Sequence, residues 1–443
     1  MSRTSLLQDL LTSIVDRRTW LPEALGGSEP RTIEALCSAL MSTRGEASGT
    51  ALAARILAAF RTLDEDGQRT FFENLAAEYD PDPEQAWTAA EAYRQNRTPD
   101  TLAALVAATE PPRQELLRRL NQAPGGTAAL VQMRACLLKI LANNPHLGAL
   151  DADFIHMFSS WFNRGFLVLQ PVDWQTPAHI LDKIIDYEAV HAIDNWDELR
   201  RRLQPTDRRC FAFFHPSMPD EPLVFVEVAL TRDVPVSIQA LLAEDREVLA
   251  IERASTAVFY SISNCQVGLR GVSFGSFLIK QVAEDLKREA PSIKTFVTLS
   301  PVPGLLAFLK RQSAEKPDTA LAALAERVSE PGWSGDDEAV EADRKLLLGL
   351  AAHYFLNGRR ADRQPLDPVA RFHLGNGARL LQINWRGDVS EKGFAQSSGI
   401  MVNYEYDLDR IELNHEAYAT DREIIASRRV RSHLPAPEGL EVA

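Results

Sequence analysis

A serine flanked by glycines stands near the middle of the chain, just before a helical stretch. Gly271, Ser273 and Gly275 satisfy the pattern G-x-S-x-G, which in α/β-hydrolases places a nucleophilic serine on a sharp strand-to-helix turn. The same residues fit a glycine-rich loop whose following helix holds a phosphate with its N-terminal amides. The two interpretations predict different chemistry: attack by the Ser273 hydroxyl, or binding of an anion by the backbone.

The residues before the motif favour the anion-binding loop. An elbow needs a strand that runs straight into the serine, but the polar, glycine-containing stretch NCQVGLR separates the predicted strand from Gly271. Arg270 adds a positive charge next to the glycines, and the glycines allow the backbone to approach a bulky anion. A plain structural turn is the remaining alternative. For a hydrolase, nothing marks Asp367, Asp388 or His415 as the partners that Ser273 would need.

The elements that position this loop change in character along the chain. Up to about residue 165, apolar residues recur every three or four positions, which predicts an irregular bundle of helices. Proline and glycine stretches at 80–83, 110–113 and 123–126 separate these helices. The predicted N-terminal domain, residues 1–165, is therefore all-α.

From residue 166 onward, runs rich in aromatic and β-branched residues predict strands. These runs are 209–216, 222–230, 256–263, 295–300, 378–385 and 399–406. Helical stretches lie between several of them, including 276–291 and most of 304–356. The predicted fold class is α+β, with a mixed α/β domain over residues 166–443 behind the helical domain.

Composition limits the classes of function. A formal net charge of -13 at pH 7 makes nucleic acid an unfavourable partner. No apolar run reaches the roughly 18 residues of a membrane-spanning helix, and the first residues lack the apolar region of a secretory signal. We therefore expect a cytoplasmic protein with no membrane partner. Cysteine and histidine spacings predict neither a disulfide framework nor a metal site.

Several long phrases in the second half carry a family resemblance. In chain order they are IIDYEAVHAI, FFHPSMPDEPLVFVEVALT, YSISNCQVGLRGVSFGSFLIK, TLSPVPG, DPVARFHLGNGARLLQINW and GIMVNYEY. Together, over about residues 175–410, the chain resembles the malonyl-CoA decarboxylase family. The loop Arg270-x-x-Ser273-x-Gly275 between a strand and a helix also resembles the pyrophosphate loop of GNAT-type acyltransferases, although those usually have glycine at the position of Ser273. The resemblance implies a GNAT-like catalytic domain and a homo-oligomer, a dimer or tetramer, formed through the helical domain.

The resemblance also implies the site residues. Ser300, in LSPVPG, and His373, in ARFHLGNGA, correspond to the family's catalytic serine and histidine, and Tyr406, in NYEY, corresponds to an active-site tyrosine. The segment that corresponds to the coenzyme A-binding loop comprises Arg270, Gly271, Val272, Ser273, Phe274, Gly275 and Ser276. Some relatives have an acidic residue at the position of Ser273, which argues further against a serine nucleophile there.

Each candidate also has a structural interpretation. Ser300 could cap or start the next helix, His373 could complement the dipole at a helix end, and Tyr406 could simply pack in a core. Only the joint match to the family favours catalysis for Ser300 and His373. Asn384 and Asn403 lie in predicted strands near the site, without an assigned role.

The implied reaction converts malonyl-CoA to acetyl-CoA and CO2. Loss of CO2 leaves an enolate, and because the thioester itself accepts the electron pair, no cofactor is expected. The protein must supply hydrogen-bond donors to the oxyanion and a proton to the carbon. His373 is expected to give this proton, since an imidazole can be protonated near neutral pH, while Ser300 bonds the substrate or relays the proton. The alternative function is a GNAT-type acyltransferase that uses acyl-CoA and an amine acceptor.

Overall fold

The computed structural model describes residues 32–42, 45–272, 274, 278–317, 319–330 and 332–434. By their contacts these residues form two units. The first unit comprises the chain up to Val168 with residues 215–221 and 266–274, and the second comprises residues 169–214, 222–265 and the chain from 275 onward. The boundary after residue 165 stays a prediction. The sequence did not indicate that two short later segments belong to the first unit.

The described part of the first unit is built from α-helices separated at the predicted proline and glycine stretches. They are α1 (Ile33–Ser42), α2 (Glu46–Thr62), α3 (Glu65–Glu78), α4 (Pro83–Gln95), α5 (Pro99–Thr109), α6 (Pro112–Asn121), α7 (Gly126–Ile140) and α8 (Gly148–Trp161). Asp82 starts α4 by accepting hydrogen bonds from the amides of Glu84 and Gln85, with Pro83 in the first turn. Gly125 precedes α7 with a φ of 68°, a conformation that favours glycine.

The core of the first unit forms where apolar helix faces meet. The ring of Phe60 on α2 lies 5.2 Å from that of Phe71 and 5.5 Å from that of Phe72, both on α3. Helices α4 and α5 do not contribute to this core, because neither has a buried residue. On them Trp87 is 72% exposed and Val106 is 58% exposed. These two helices leave large apolar side chains on the surface.

The second unit is organised around a mixed sheet. Its strands are β1 (Val168–Val172), β2 (Arg208–Phe214), β3 (Val224–Thr231), β4 (Thr256–Asn264), β5 (Thr295–Thr298), β6 (Ser300–Pro301), β7 (Arg379–Asn384) and β8 (Met401–Glu405). The strand order is β1-β2-β3-β4-β5-β8-β6, and β7 pairs with β8. Strands β2, β3 and β4 are antiparallel neighbours, β4 and β5 are parallel, and β8 runs antiparallel to β5, β6 and β7. Every predicted strand run overlaps one of these strands.

Helices cover this sheet and connect its strands. They are α9 (Ala178–Tyr187), α10 (Trp196–Leu203), α11 (Ile238–Leu242), α12 (Leu278–Glu289), α13 (Leu305–Glu315), α14 (Ala320–Ser329), α15 (Asp337–Leu356), α16 (Pro368–Gly375), α17 (Glu391–Ser397), α18 (Ile411–Asp421) and α19 (Arg428–Arg431). Helix α12 lies in the connection between the parallel strands β4 and β5, which need such a crossover. The predicted α+β class, helices first and a mixed α/β sheet second, is confirmed. In the part of the chain that the structure describes, every helix is too short or too polar to span a lipid bilayer.

Candidate active site

Ser300 lies at the point where the chain leaves β5 and pairs briefly with β8. Its backbone is opposite Val402 of β8, and its side chain is buried. The next helix, α13, begins at Leu305, and Gly304 precedes it without a side-chain cap. Ser300 therefore does not cap that helix. Instead, its hydroxyl donates a hydrogen bond to Thr298 Oγ1 at 2.8 Å.

His373 lies in the last turn of α16 and is buried. Its Nε2 atom is 3.2 Å from Ser300 Oγ, and its Nδ1 atom is 2.8 Å from the hydroxyl of Tyr406. The imidazole also stacks on Tyr404, with 4.6 Å between ring centroids and 26° between planes. The structure thus brings together the three residues predicted to be catalytic.

The hydrogen bonds around His373 indicate which ring nitrogen carries the proton. The Ser300 hydroxyl donates its hydrogen bond to Thr298, so Ser300 Oγ accepts a hydrogen bond from His373 Nε2–H. The other nitrogen, Nδ1, then accepts a hydrogen bond from the Tyr406 hydroxyl. We assign the Nε2–H tautomer on this basis. The direction of donation runs from Tyr406 through His373 and Ser300 to Thr298.

Burial sets the protonation states of the side chains in this series of hydrogen bonds. It lowers the pKa of His373 to about 3, so the imidazole is neutral at pH 7. The expectation that this ring is protonated near neutral pH is therefore wrong for the free protein. Burial also raises the pKa of Tyr406 well above its ordinary value, which keeps its hydroxyl protonated as a donor.

A buried asparagine holds the strand ends behind the serine. Asn403 Nδ2 donates to the carbonyl oxygen of Thr298 at 2.6 Å. Its Oδ1 accepts from Gln382 Nε2 at 2.8 Å and from Asn384 Nδ2 at 2.7 Å. The two asparagines noted in the sequence therefore fix the backbone next to Ser300.

Sequence reasoning missed Thr298 and Tyr404. The amide of Tyr404 donates to Thr298 Oγ1 at 3.1 Å, so both residues belong to the cluster that orients Ser300 and His373. A signal was available, because Thr298 precedes Ser300 by two positions and Tyr404 precedes Tyr406 by two. Residues at this spacing lie on the same face of a strand.

The start of α16, which carries His373, is anchored by a buried carboxyl group. Asp367 accepts from the amide of Ala370 at 2.8 Å and from the hydroxyl of Tyr354 at 3.3 Å. Burial raises the pKa of Asp367 to about 6. The chain after Ser300 approaches the same tyrosine, since a Cβ atom at Gly304 would lie 2.3 Å from the Tyr354 hydroxyl. Only glycine fits there without displacement.

The described residues of the loop expected to bind coenzyme A, Arg270, Gly271, Val272 and Phe274, belong to the first unit. Strand β4 ends at Asn264 and a short 3-10 turn, Val267–Leu269, follows. Arg270 is exposed, Gly271 has a φ of 82°, Val272 is buried and Phe274 is partly buried. Ser273, Gly275 and Ser276 lie outside the described residues. The predicted order of strand, loop and helix is confirmed, and the strand does not run directly into the serine as an elbow requires.

A metal-binding cluster was not expected from the sequence. Among the described residues, no group of three or more histidine, cysteine, aspartate and glutamate side chains is placed to hold a metal ion.

Comparison with known proteins gives consistent matches over most of the chain. Residues 165–441 match the family model described as the malonyl-CoA decarboxylase C-terminal domain, and residues 79–162 match that of the N-terminal domain. The chain is 39% identical over 347 residues to the mitochondrial malonyl-CoA decarboxylase of Anser anser anser, covering 72% of this chain and 68% of the relative.

Two crystal structures of bacterial malonyl-CoA decarboxylases are also similar. The one from Rhodopseudomonas palustris is 53% identical with a TM-score of 0.86, covering 90% of this chain and 98% of the other. The one from Agrobacterium vitis is 52% identical with a TM-score of 0.87, covering 91% and 100%. Fold, site and matches define an enzyme of the carboxy-lyase class, as predicted. The chain belongs to the malonyl-CoA decarboxylase family.

Proposed function

We propose that this enzyme converts malonyl-CoA to acetyl-CoA and CO2, with Ser300, His373 and Tyr406 as its catalytic residues. The observation that carries the residue assignment is the buried hydrogen-bonded chain from Tyr406 through His373 to Ser300. Such a chain can move one proton to a single hydroxyl group while water is largely excluded.

The first step breaks the bond between the substrate's central carbon and its carboxylate. The electron pair moves into the thioester, which becomes an enolate, and CO2 leaves. Because the thioester is the electron sink, we propose that the reaction uses no cofactor. Hydrogen-bond donors at the developing oxyanion lower the barrier, each commonly by about 3–4 kcal/mol.

The second step forms a carbon–hydrogen bond and needs a proton. His373 is neutral in the free protein because it is buried. A substrate carboxylate next to the ring favours the charged form, since an opposite charge raises the pKa of an imidazole. The ring therefore takes up a proton as the substrate binds.

After CO2 has left, Ser300 gives its proton to the enolate carbon and receives the Nε2 proton of His373. Ser300 ends as it began, and His373 returns to the neutral form with its remaining proton on Nδ1. Exchange of that proton with solvent restores the Nε2–H tautomer of the resting enzyme. No acyl-serine intermediate is formed. Tyr406 keeps its own proton throughout. Its hydroxyl donates to Nδ1 in the resting enzyme and accepts from Nδ1–H while the ring is charged, so a buried tyrosinate is avoided.

We further propose that the segment 270–276 binds coenzyme A. Support comes from the exposed position of Arg270, a cation suited to phosphate, and from the left-handed Gly271, which allows close approach of the backbone. Helix α12 follows shortly after this segment.

The test is a mass-spectrometric time course with malonyl-CoA alone, without an acceptor and without added metal. Acetyl-CoA and CO2 appearing in equal amounts is the expected result. Intact malonyl-CoA that is consumed only when an amine is added would instead support the acyltransferase. Free coenzyme A would support a thioester hydrolase and contradict the proposal.

We also propose a homo-oligomer formed through the helical region. Helices α4 and α5 support this, because they bury no residue and expose Trp87 and Val106. Light scattering on the wild type and on W87E tests it: a dimer or tetramer that W87E dissociates is expected, and a monomeric wild type contradicts it.

The cellular location that we propose is the cytoplasm. Cys37, Cys136 and Cys210 are free thiols, as is usual in a reducing compartment. Fractionation of the native cells tests this location, and recovery of the protein in an organelle fraction would contradict it.

A further inference from the structure

A buried arginine of the helical region holds the backbone of the proposed coenzyme A loop. Arg134 lies on α7 and is only 1% exposed. Its Nη1 atom donates to the carbonyl oxygens of Gly268 and Arg270, each at 2.7 Å. Its Nε atom donates to Asp151 Oδ1 at 2.8 Å. One guanidinium group thus joins α7, α8 and the loop, all within the first unit.

The same face of α7 touches the loop a second time. A Cβ atom at Gly268 would lie 1.9 Å from the carbonyl oxygen of Val131, a distance that no side chain tolerates. Val131 and Arg134 are three residues apart and therefore neighbours on the helix surface. The loop is held against α7 both by close packing and by the two hydrogen bonds of Arg134.

We propose that Arg134 is a positioning residue for coenzyme A binding, which rests on the proposed role of the loop. A loop that binds phosphate through its backbone must keep its carbonyl oxygens away from the anion, because they repel it. Arg134 binds two such oxygens on the inner side of the loop, at Gly268 and immediately before Gly271. The left-handed turn at Gly271 then begins from a fixed position.

If Arg134 only stabilised the fold, replacing another buried arginine of the helical region should affect coenzyme A binding equally. The chain offers a matched control for this alternative. Arg113, on α6, is also an arginine of the helical region and is 4% exposed. It forms ion pairs with Asp80 and Asp153. Both arginines carry a buried charge whose loss is costly. Of these two arginines, Arg134 is the one that donates hydrogen bonds to the carbonyl oxygens of Gly268 and Arg270.

The experiment titrates coenzyme A itself into the full-length wild type and into R134Q, R134K, R113Q and R113K, with kcat and KM for malonyl-CoA measured in parallel. We expect R134Q to raise the Kd of coenzyme A and KM by about tenfold or more, with kcat within about twofold of the wild type. R134K keeps the charge and is expected to lie in between. The Arg113 variants should lose thermal stability with an unchanged Kd.

The outcomes separate this inference from the proposed function. An unchanged Kd in the Arg134 variants, or an equal rise in the Arg113 variants, overturns the positioning role. If R134Q does not fold, the comparison of R134K with R113K gives the answer. A wild type that binds coenzyme A without turning over malonyl-CoA overturns the proposed reaction alone, and the Kd comparison still tests Arg134. A wild type that does not bind coenzyme A overturns the positioning role as well.

Discussion

The Nδ1 atom of His373 lies 2.8 Å from the Tyr406 hydroxyl, and this contact fixes the nitrogen that faces Ser300. Tyr406 keeps its proton because burial raises its pKa, so it donates to Nδ1 and leaves the ring proton on Nε2. A histidine that activates a serine nucleophile must present an unprotonated Nε2 instead. The pair is therefore arranged to deliver a proton to Ser300 rather than to remove one.

Replacing Tyr406 by phenylalanine should disturb this tautomer. Y406F leaves Nδ1 as a buried acceptor without its donor, which costs about 1–3 kcal/mol and removes the preference for Nε2–H. We expect kcat to fall about tenfold, and nitrogen NMR of the ring should show mixed tautomers. Y404F is the control, because it removes a buried hydroxyl from the ring that stacks on His373 without touching Nδ1. Unchanged ring signals in Y406F would contradict the assignment.

Replacing His373 by asparagine should abolish most turnover. H373N removes the group that takes up and returns the proton, a contribution of about 100-fold or more in kcat. Coenzyme A binding, measured by titration, should remain close to that of the wild type. The control H353N changes a histidine on α15 that forms a side-chain hydrogen bond with Asn357. Near-normal turnover in H373N would remove the proton-transfer role.

Ser300 and Ser273 should respond differently to replacement by alanine. S300A removes the hydroxyl that lies between His373 and Thr298, so kcat should fall about 100-fold or more. S273A should retain kcat within about threefold, since a loop that binds through its backbone does not need the hydroxyl. Steady-state kinetics on both variants checks this. If S273A is inactive and S300A is active, the site assignment is wrong.

Substrate binding should be accompanied by proton uptake. The pKa of His373 is about 3 in the free protein, and the substrate carboxylate raises it. Because the complex binds the proton more tightly than the free enzyme does, KM should increase as pH rises from the pKa of the free enzyme towards that of the complex, and should level off above it. Calorimetry of malonyl-CoA binding to S300A, in buffers of different ionisation enthalpy, measures the uptake directly. An S300A/H373N double variant should show none, and zero uptake in S300A itself would contradict the proton source.

The buried carboxyl of Asp367 should make stability depend on pH. Its pKa is about 6 in the folded chain, above the ordinary value of 3.8, so its contribution to stability is present below about pH 4 and is lost as pH rises through 6. The loss is at most about 3 kcal/mol at 1.36 kcal/mol per unit. D367N keeps an oxygen for the Ala370 amide and should remove this dependence.

Denaturant unfolding of the wild type and D367N at pH 4 and pH 8 measures the difference. D336N, which changes the exposed N-cap of α15, controls for loss of a capping charge. A difference between wild type and D367N that does not change with pH would contradict the burial of an ionisable group at this position. His373 acts in the opposite direction, because its lowered pKa removes stability as pH falls below 6.5.

Local sequence patterns predicted much of the fold. Aromatic and β-branched runs mark strands because their side chains fit a pleated surface, and each such run forms a strand here. Proline and glycine interrupt helices for reasons that act within a few residues, as at Asp82-Pro83 and Gly125. The family phrases then located Ser300, His373 and Tyr406, which local patterns alone would have left as a cap, a helix end and a core residue.

The sequence by itself determined the class of fold and the order of its elements, because these depend on side-chain type and short spacings. The family resemblance of its longer phrases identified the candidate residues. Only the tertiary structure decided the protonation of His373, since burial comes from residues distant in the chain. The same holds for the contact of His373 with Ser300, 73 positions away, and for Arg134, which holds a loop 134 and 136 positions away. Contacts across such separations leave no periodic signal in the sequence.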